Sequence, residues 1–112
     1  MSDILFRLEA IIAARKAGLA RDPGLAETSY VARLLAKGEA RAARKLGEEA
    51  VETLVAALAE DEAALAGEAA DLLFHLLLLL GARGVPLADV FAALEAREGL
   101  SGLDEKAARS EG

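Results

Sequence analysis

The sequence predicts an all-α fold, an antiparallel bundle of four to five helices, on three observations. Ala and Leu dominate, Val, Ile and Thr are sparse and aromatics are 4% of residues, a composition of helices rather than sheets. Apolar residues recur at i, i+3 and i+4 within segments that open on capping residues and close on Gly. The connections between the later segments are short, which favours antiparallel neighbours.

Taken in order, Ser2 and Asp3 can cap a first helix whose apolar face is Ile4, Leu5, Leu8, Ile11 and Ile12. Arg15 and Lys16 fall in its last turn and Gly18 just beyond, as a helix end favours. Residues 19–28 read as a loop, because Arg21-Asp22-Pro23-Gly24 is turn chemistry. Thr28 or Ser29 caps a short second helix, Tyr30 to Lys37, closed by Gly38. The third helix runs from Glu39 to about Ala59. Gly47 interrupts it, at a cost of about 1 kcal/mol relative to Ala; it is either a tolerated glycine or a point of close approach for a ligand or another helix. Asp61 can cap a fourth helix from Glu62 to about Leu80, ended by Gly81 to Gly84. Pro86 suits the first position of a fifth helix that reaches about Arg97. The domain therefore spans residues 1–98, and the polar, Gly-containing stretch 99–112 is expected to fray.

The chain of 112 residues suits one domain with a modest core, so oligomerisation would help it. Its net charge of −6 makes it a poor general binder of nucleic acid or anionic membrane. With no Cys, neither a disulfide framework nor a thiolate metal site is available. The N-terminus lacks signal-peptide features, and the strictly apolar run Leu76 to Leu80 is far shorter than the roughly 20 residues of a membrane span. These features lead us to expect a soluble, cytoplasmic protein without membrane partners.

Two helical stretches carry the chemistry. From Ala63 to Leu80 the ionisable residues are Glu68, Asp71 and His75, in a helix apolar enough to be buried. Carboxylates there need a partner, since an unpaired buried charge is costly. On the third helix Arg41, Lys45, Glu48, Glu49 and Glu52 share one arc, beside an apolar side formed by Val51, Leu54, Val55 and Leu58. Glu49 with Glu52, and Glu68 with Asp71, are i, i+3 pairs. Antiparallel packing of the two helices brings both pairs together, and four carboxylates in one crevice repel unless a cation binds. All-oxygen ligation selects a hard ion, Mg²⁺ or Mn²⁺ rather than Zn²⁺. Glu48, at the edge of the arc, fits a fifth ligand or the base that takes a proton from an attacking water. Arg41 and Lys45 can hold phosphate oxygens. Each feature also has a plainer reading. Glu48, Glu49 and Glu52 alone suit a solvated face paired with Arg41 and Lys45. His75 suits a hydrogen-bonded core histidine as well as a residue that orients a metal ligand or touches substrate.

Glu48-Glu49-x-x-Glu52 followed by Glu68-x-x-Asp71 resembles the metal-binding motif of the MazG-like all-α nucleotide pyrophosphohydrolases. Arg15-Lys16, Asp22-Pro23, Ser29-Tyr30-Val31-Ala32-Arg33-Leu34-Leu35, the segment opened by Lys45, and Glu68 through His75 into the Leu run are similar to one family among them, the phosphoribosyl-ATP pyrophosphohydrolases. The similarity covers residues 4–97. It implies Mg²⁺-dependent conversion of phosphoribosyl-ATP to phosphoribosyl-AMP and pyrophosphate, the second step of histidine biosynthesis. It further implies that Glu49, Glu52, Glu68 and Asp71 are metal ligands, Glu48 an accessory ligand or base, and Lys45 a phosphate contact, with Arg15, Lys16 and Arg33 as further candidates. It implies a homodimer or higher homo-oligomer, for which the apolar fourth helix suits a buried interface, and a separate cyclohydrolase for the next step. Two competing functions fit parts of the pattern: a house-cleaning pyrophosphohydrolase of dNTPs or NTPs, and a helical dimerisation module holding a structural cation.

Overall fold

The structure, a computed structural model, describes residues 2–98. They form five α-helices and a 3₁₀ turn, with no strand among the described residues: α1 (Ile4–Arg21), the turn Pro23–Glu27, α2 (Tyr30–Ala36), α3 (Glu39–Ala59), α4 (Glu62–Arg83) and α5 (Leu87–Arg97). The expectation of a frayed tail at 99–112 lies outside the described residues.

The starts of the helices follow their local chemistry. Ser29 Oγ accepts from the Ala32 N–H and Asp61 Oδ1 from the Ala64 N–H, so each cap satisfies one of the backbone donors a helix start leaves free. The two turn glycines adopt left-handed backbone that a side chain disfavours, Gly38 at φ 92° before α3 and Gly84 at φ 80° after α4. Pro86 stands one position earlier than its composition suggested, at the N-cap of α5, where it offers no side-chain cap. Glu9 of α1 supplies the cap instead: its Oε2 accepts from the Leu87 N–H at 2.7 Å.

Two boundaries differ from the sequence reading, both at glycines. Helix α1 passes Gly18 and ends at Arg21, and the stretch after it is a 3₁₀ turn rather than open loop. A Cβ on Gly18 would stand 3.0 Å from Leu25 Cδ2, so this glycine lets the turn fold tightly onto α1. Helix α4 likewise continues through Gly81 to Arg83. A Cβ on Gly81 would come within 2.6 Å of Ile12 Cγ2, closer than van der Waals contact. Gly81 is thus the crossing point of α1 and α4, not a terminator. Gly47 makes no close approach to another helix: among the described residues nothing lies within 4 Å of where its Cβ would be.

The core gathers Ile12 of α1, Leu77 and Leu78 of α4 and Leu87 of α5, with Val31, Leu34 and Leu35 of α2 packed against it. Phe6 meets Phe91 edge to face at 5.1 Å between ring centroids, seating α5 on α1. Helices α3 and α4 form an antiparallel pair. Arg83 at the end of α4 bonds Glu39 at the start of α3 at 2.8 Å, and the Thr53 hydroxyl of α3 lies 3.2 Å from the Glu68 carbonyl oxygen. That register brings Glu49 and Glu52 opposite the stretch from Glu68 to Asp71.

Helix α4 is long and apolar enough to cross a bilayer by length and composition alone. Here it is the central helix, contacted by α1, α2 and α3. It is not buried all round as its composition suggested: Asp71 is exposed and Leu73 is 46% exposed. The outcome on α3 is sharper. Its inward face is small and acidic, with Ala56 and Glu49 buried, while Val51, Leu54, Val55 and Leu58 point out, 49–88% exposed.

Candidate active site

Glu49, Glu68 and Asp71 converge between α3 and α4, each offering a carboxylate oxygen within 4.8 Å of the others. A divalent ion with an all-oxygen shell spans about 4–5 Å between opposite ligands, so the trio matches one such ion. Two details support that fit. Glu49 is buried, at 5% exposure. Oε2 of Glu49 and Oε2 of Glu68 are both buried and, among the described residues, have no hydrogen-bond partner. Orphaned buried carboxylate oxygens are costly, and a cation satisfies both at once. An all-carboxylate donor set favours a hard ion over zinc, whose usual sites include imidazole or thiolate ligands.

The fourth carboxylate, Glu52, adjoins the trio from an exposed position one turn along α3. Its carboxyl is held above the ordinary value of 4.5, first by hydrogen bonding with Glu49, then by the Glu49 charge, with Glu68 adding to both effects. That is the signature of carboxylates crowded without a counterion. One cation already offsets part of the crowding. Lys45 Nζ lies 3.4 Å from Glu49 Oε1 and 3.7 Å from Glu48 Oε2. Hydrogen bonding to Glu49, then the charges of Glu49, Glu48 and Glu52, hold the ammonium above its ordinary 10.5, so it stays charged at neutral pH. The Glu48 side chain is half exposed at the rim.

Beside the cluster, α2, α3 and α4 enclose a cavity of about 160 Å³. Arg41, Lys45 and His75 line it together with Tyr30, Leu34 and Leu78. His75 is buried at 7% exposure, and its Nδ1 lies 2.8 Å from the Asp71 carbonyl oxygen one turn back. Lys45 thus joins the cavity to the carboxylates, and His75 joins it to the backbone of Asp71.

The remaining basic candidates lie elsewhere. Lys16 Nζ donates to the Gly81 carbonyl at 2.9 Å, closing the C-terminal end of α4 in a separate, largely apolar groove of about 610 Å³. Arg33 donates to the Ala26 and Glu27 carbonyls and pins the 3₁₀ turn. Arg15 is exposed on α1, outside the residues lining the cavity. The sequence reading also passed over Thr53, whose hydroxyl lies 2.8 Å from the Glu49 carbonyl oxygen as well as against Glu68. A hydroxyl four residues after a ligand candidate, on the same face, was the available signal. Tyr30, at 58% exposure, stands at the cavity wall.

The model of the phosphoribosyl-ATP pyrophosphohydrolase family matches residues 8–98. A protein of Rhizorhabdus wittichii named phosphoribosyl-ATP pyrophosphatase is 59% identical over 112 residues, covering all of both chains. One of the same name from Novosphingobium aromaticivorans is 57% identical over 96% of this chain and 95% of its own. Another, from Erythrobacter litoralis, is 59% identical over 96% of this chain and 97% of its own. Matched through its helical domain by the family model and end to end by these relatives, the chain belongs to the phosphoribosyl-ATP pyrophosphohydrolase family.

Proposed function

We propose that the chain hydrolyses phosphoribosyl-ATP to phosphoribosyl-AMP and pyrophosphate, the second step of histidine biosynthesis, with Mg²⁺ held by Glu49, Glu68 and Asp71 and completed by Glu52. The observation that carries the metal is the pair of buried oxygens on Glu49 and Glu68 that have no hydrogen-bond partner among the described residues, on side chains whose carboxylates converge with that of Asp71. The chemistry supplied by a bound Mg²⁺ is neutralisation of the polyphosphate and a lowered pKa for the attacking water. The chain's own groups do the rest. Lys45, held cationic, and Arg41 orient phosphate oxygens at the mouth of the cavity. Glu48, half exposed at the rim, takes the proton as the water oxygen bonds to phosphorus and the bridge to pyrophosphate breaks. Mn²⁺ suits the same oxygen donors. Lys16 and Arg33, engaged with backbone carbonyls, and Arg15 have no part in this reading.

We further read the protein as a cytoplasmic homodimer. The outward stripe of Val51, Leu54, Val55 and Leu58 supports α3 as the interface rather than the α4 that composition favoured.

The test is pyrophosphate release from phosphoribosyl-ATP with Mg²⁺. Glu52→Gln and Asp71→Asn should each lower the rate by about 100-fold or more, since even outer-shell partners of a metal cost 10- to 100-fold. Wild-type rates in both variants would overturn the metal assignment. Faster turnover of any dNTP than of phosphoribosyl-ATP would transfer the reading to a house-cleaning pyrophosphohydrolase. Mg²⁺-dependent melting with no turnover of either would leave a structural cation.

A further inference from the structure

The cavity beside the carboxylates has one unexplained polar atom. His75 Nδ1 stands 2.8 Å from a backbone carbonyl oxygen, which can only accept. Nδ1 therefore carries the hydrogen, and in the neutral imidazole Nε2 is left as an acceptor. Among the described residues nothing donates to it: Nε2 is buried and without a partner, on a side chain 7% exposed that lines the cavity. A buried acceptor in that state asks for a ligand donor.

The ligand's chemistry follows from the walls. Phosphate oxygens accept and would face a second acceptor at Nε2, so a phosphate belongs at the mouth, with Arg41 and Lys45. Leu34, Leu35, Ala42 and Leu78 supply its apolar lining beside Tyr30, and Lys37 joins Arg41 and Lys45 as its basic lining. Its 160 Å³ is close to the roughly 150 Å³ cavity that takes a benzene ring. A flat ring bearing an N–H matches size, walls and floor. Lys45 lines this space and pairs with Glu49, so one ligand can reach both the cavity and the carboxylates.

We propose that this cavity seats the adenine ring of the substrate, with His75 Nε2 accepting a hydrogen bond from a base N–H and Tyr30 covering the ring. His75 is then a specificity residue that acts on the base, apart from the phosphate chemistry. The inference rests on the activity proposed above.

The experiment measures kcat and KM for phosphoribosyl-ATP, and inhibition by phosphoribosyl-AMP and by Mg²⁺-pyrophosphate, in wild type, His75→Leu and His75→Gln. Leucine removes the acceptor, while glutamine places a carbonyl oxygen near the Nε2 position. In His75→Leu, KM and the phosphoribosyl-AMP inhibition constant should rise about tenfold, the worth of one buried hydrogen bond. Inhibition by pyrophosphate should be unchanged, and His75→Gln should recover most of the loss. Unchanged KM and phosphoribosyl-AMP inhibition in His75→Leu would overturn the proposal, as would an equal weakening of pyrophosphate. If His75→Leu does not fold, Tyr30→Ala, at an exposed position, carries the same test: weaker phosphoribosyl-AMP with pyrophosphate unchanged supports the proposal, and no change overturns it. Wild type inert toward phosphoribosyl-ATP would sink the proposed activity itself; an active wild type with an indifferent His75→Leu sinks only the base pocket.

Discussion

Glu52 shows what a side chain gains and loses by standing beside its own kind. Its folded carboxyl titrates above the ordinary 4.5 because Glu49 and Glu68 crowd it. A group with a raised folded pKa contributes stability that is fully present below the unfolded value and lost as pH rises through the folded one. Metal-free protein should therefore lose melting temperature, relative to Glu52→Gln, as pH climbs from about 4.5 through the raised range. Mg²⁺ should restore that temperature at neutral pH and protect less at acid pH, where protons compete for the same oxygens. Melting curves in chelator and in Mg²⁺ read both effects; parallel pH profiles for the two proteins in chelator would refute them. The i, i+3 spacing of the carboxylates was legible in the sequence. The burial of Glu49 and exposure of Asp71 were not, since these depend on how far each helix is covered by its neighbours.

At the scale of the helix, the glycines separate propensity from packing. Gly47 and Gly81 both sit inside helices, and both cost helical stability relative to alanine. Gly47 has open space about its missing Cβ, whereas Ile12 fills the space at Gly81. Gly47→Ala should stabilise the protein by about 0.5–1 kcal/mol. Gly81→Ala should destabilise it by about 1–3 kcal/mol, through overpacking against Ile12. Denaturant midpoints measure both, and a shift of the same sign in each would contradict this account. Most element boundaries followed from caps and turn residues. The exceptions are Gly18 and Gly81, where an apparent helix stop serves a close contact with a residue distant in sequence or across a turn.

For the molecule as a whole, α3 wears its apolar stripe on the outside. Leu58 is 88% exposed and Leu54 62%, in a chain whose inward-facing α3 residues include Glu49. A surface stripe of large aliphatic side chains marks an interaction face, and a small core gains from association. Light scattering should give twice the chain mass for wild type and one chain mass for Leu54→Glu with Leu58→Glu. A monomeric wild type, or a dimer unaffected by the double variant, would remove α3 from the interface.

The sequence alone determined the helical class, most caps and the pairing of acidic residues at one-turn spacing, because these depend on local backbone chemistry and on the 3.6-residue period. It also carried the family, through Ser29–Leu35 and the segments around Glu49 and Asp71. Tertiary structure decided which of two faces α3 turns inward, since its apolar and acidic arcs adjoin and either could have met α4. It divided the basic residues, placing Lys45 and Arg41 on the cavity beside the acidic cluster and Lys16 and Arg33 on backbone carbonyls. And it left His75 Nε2 without a partner among the described residues, a fact that arises only when the helices pack around it.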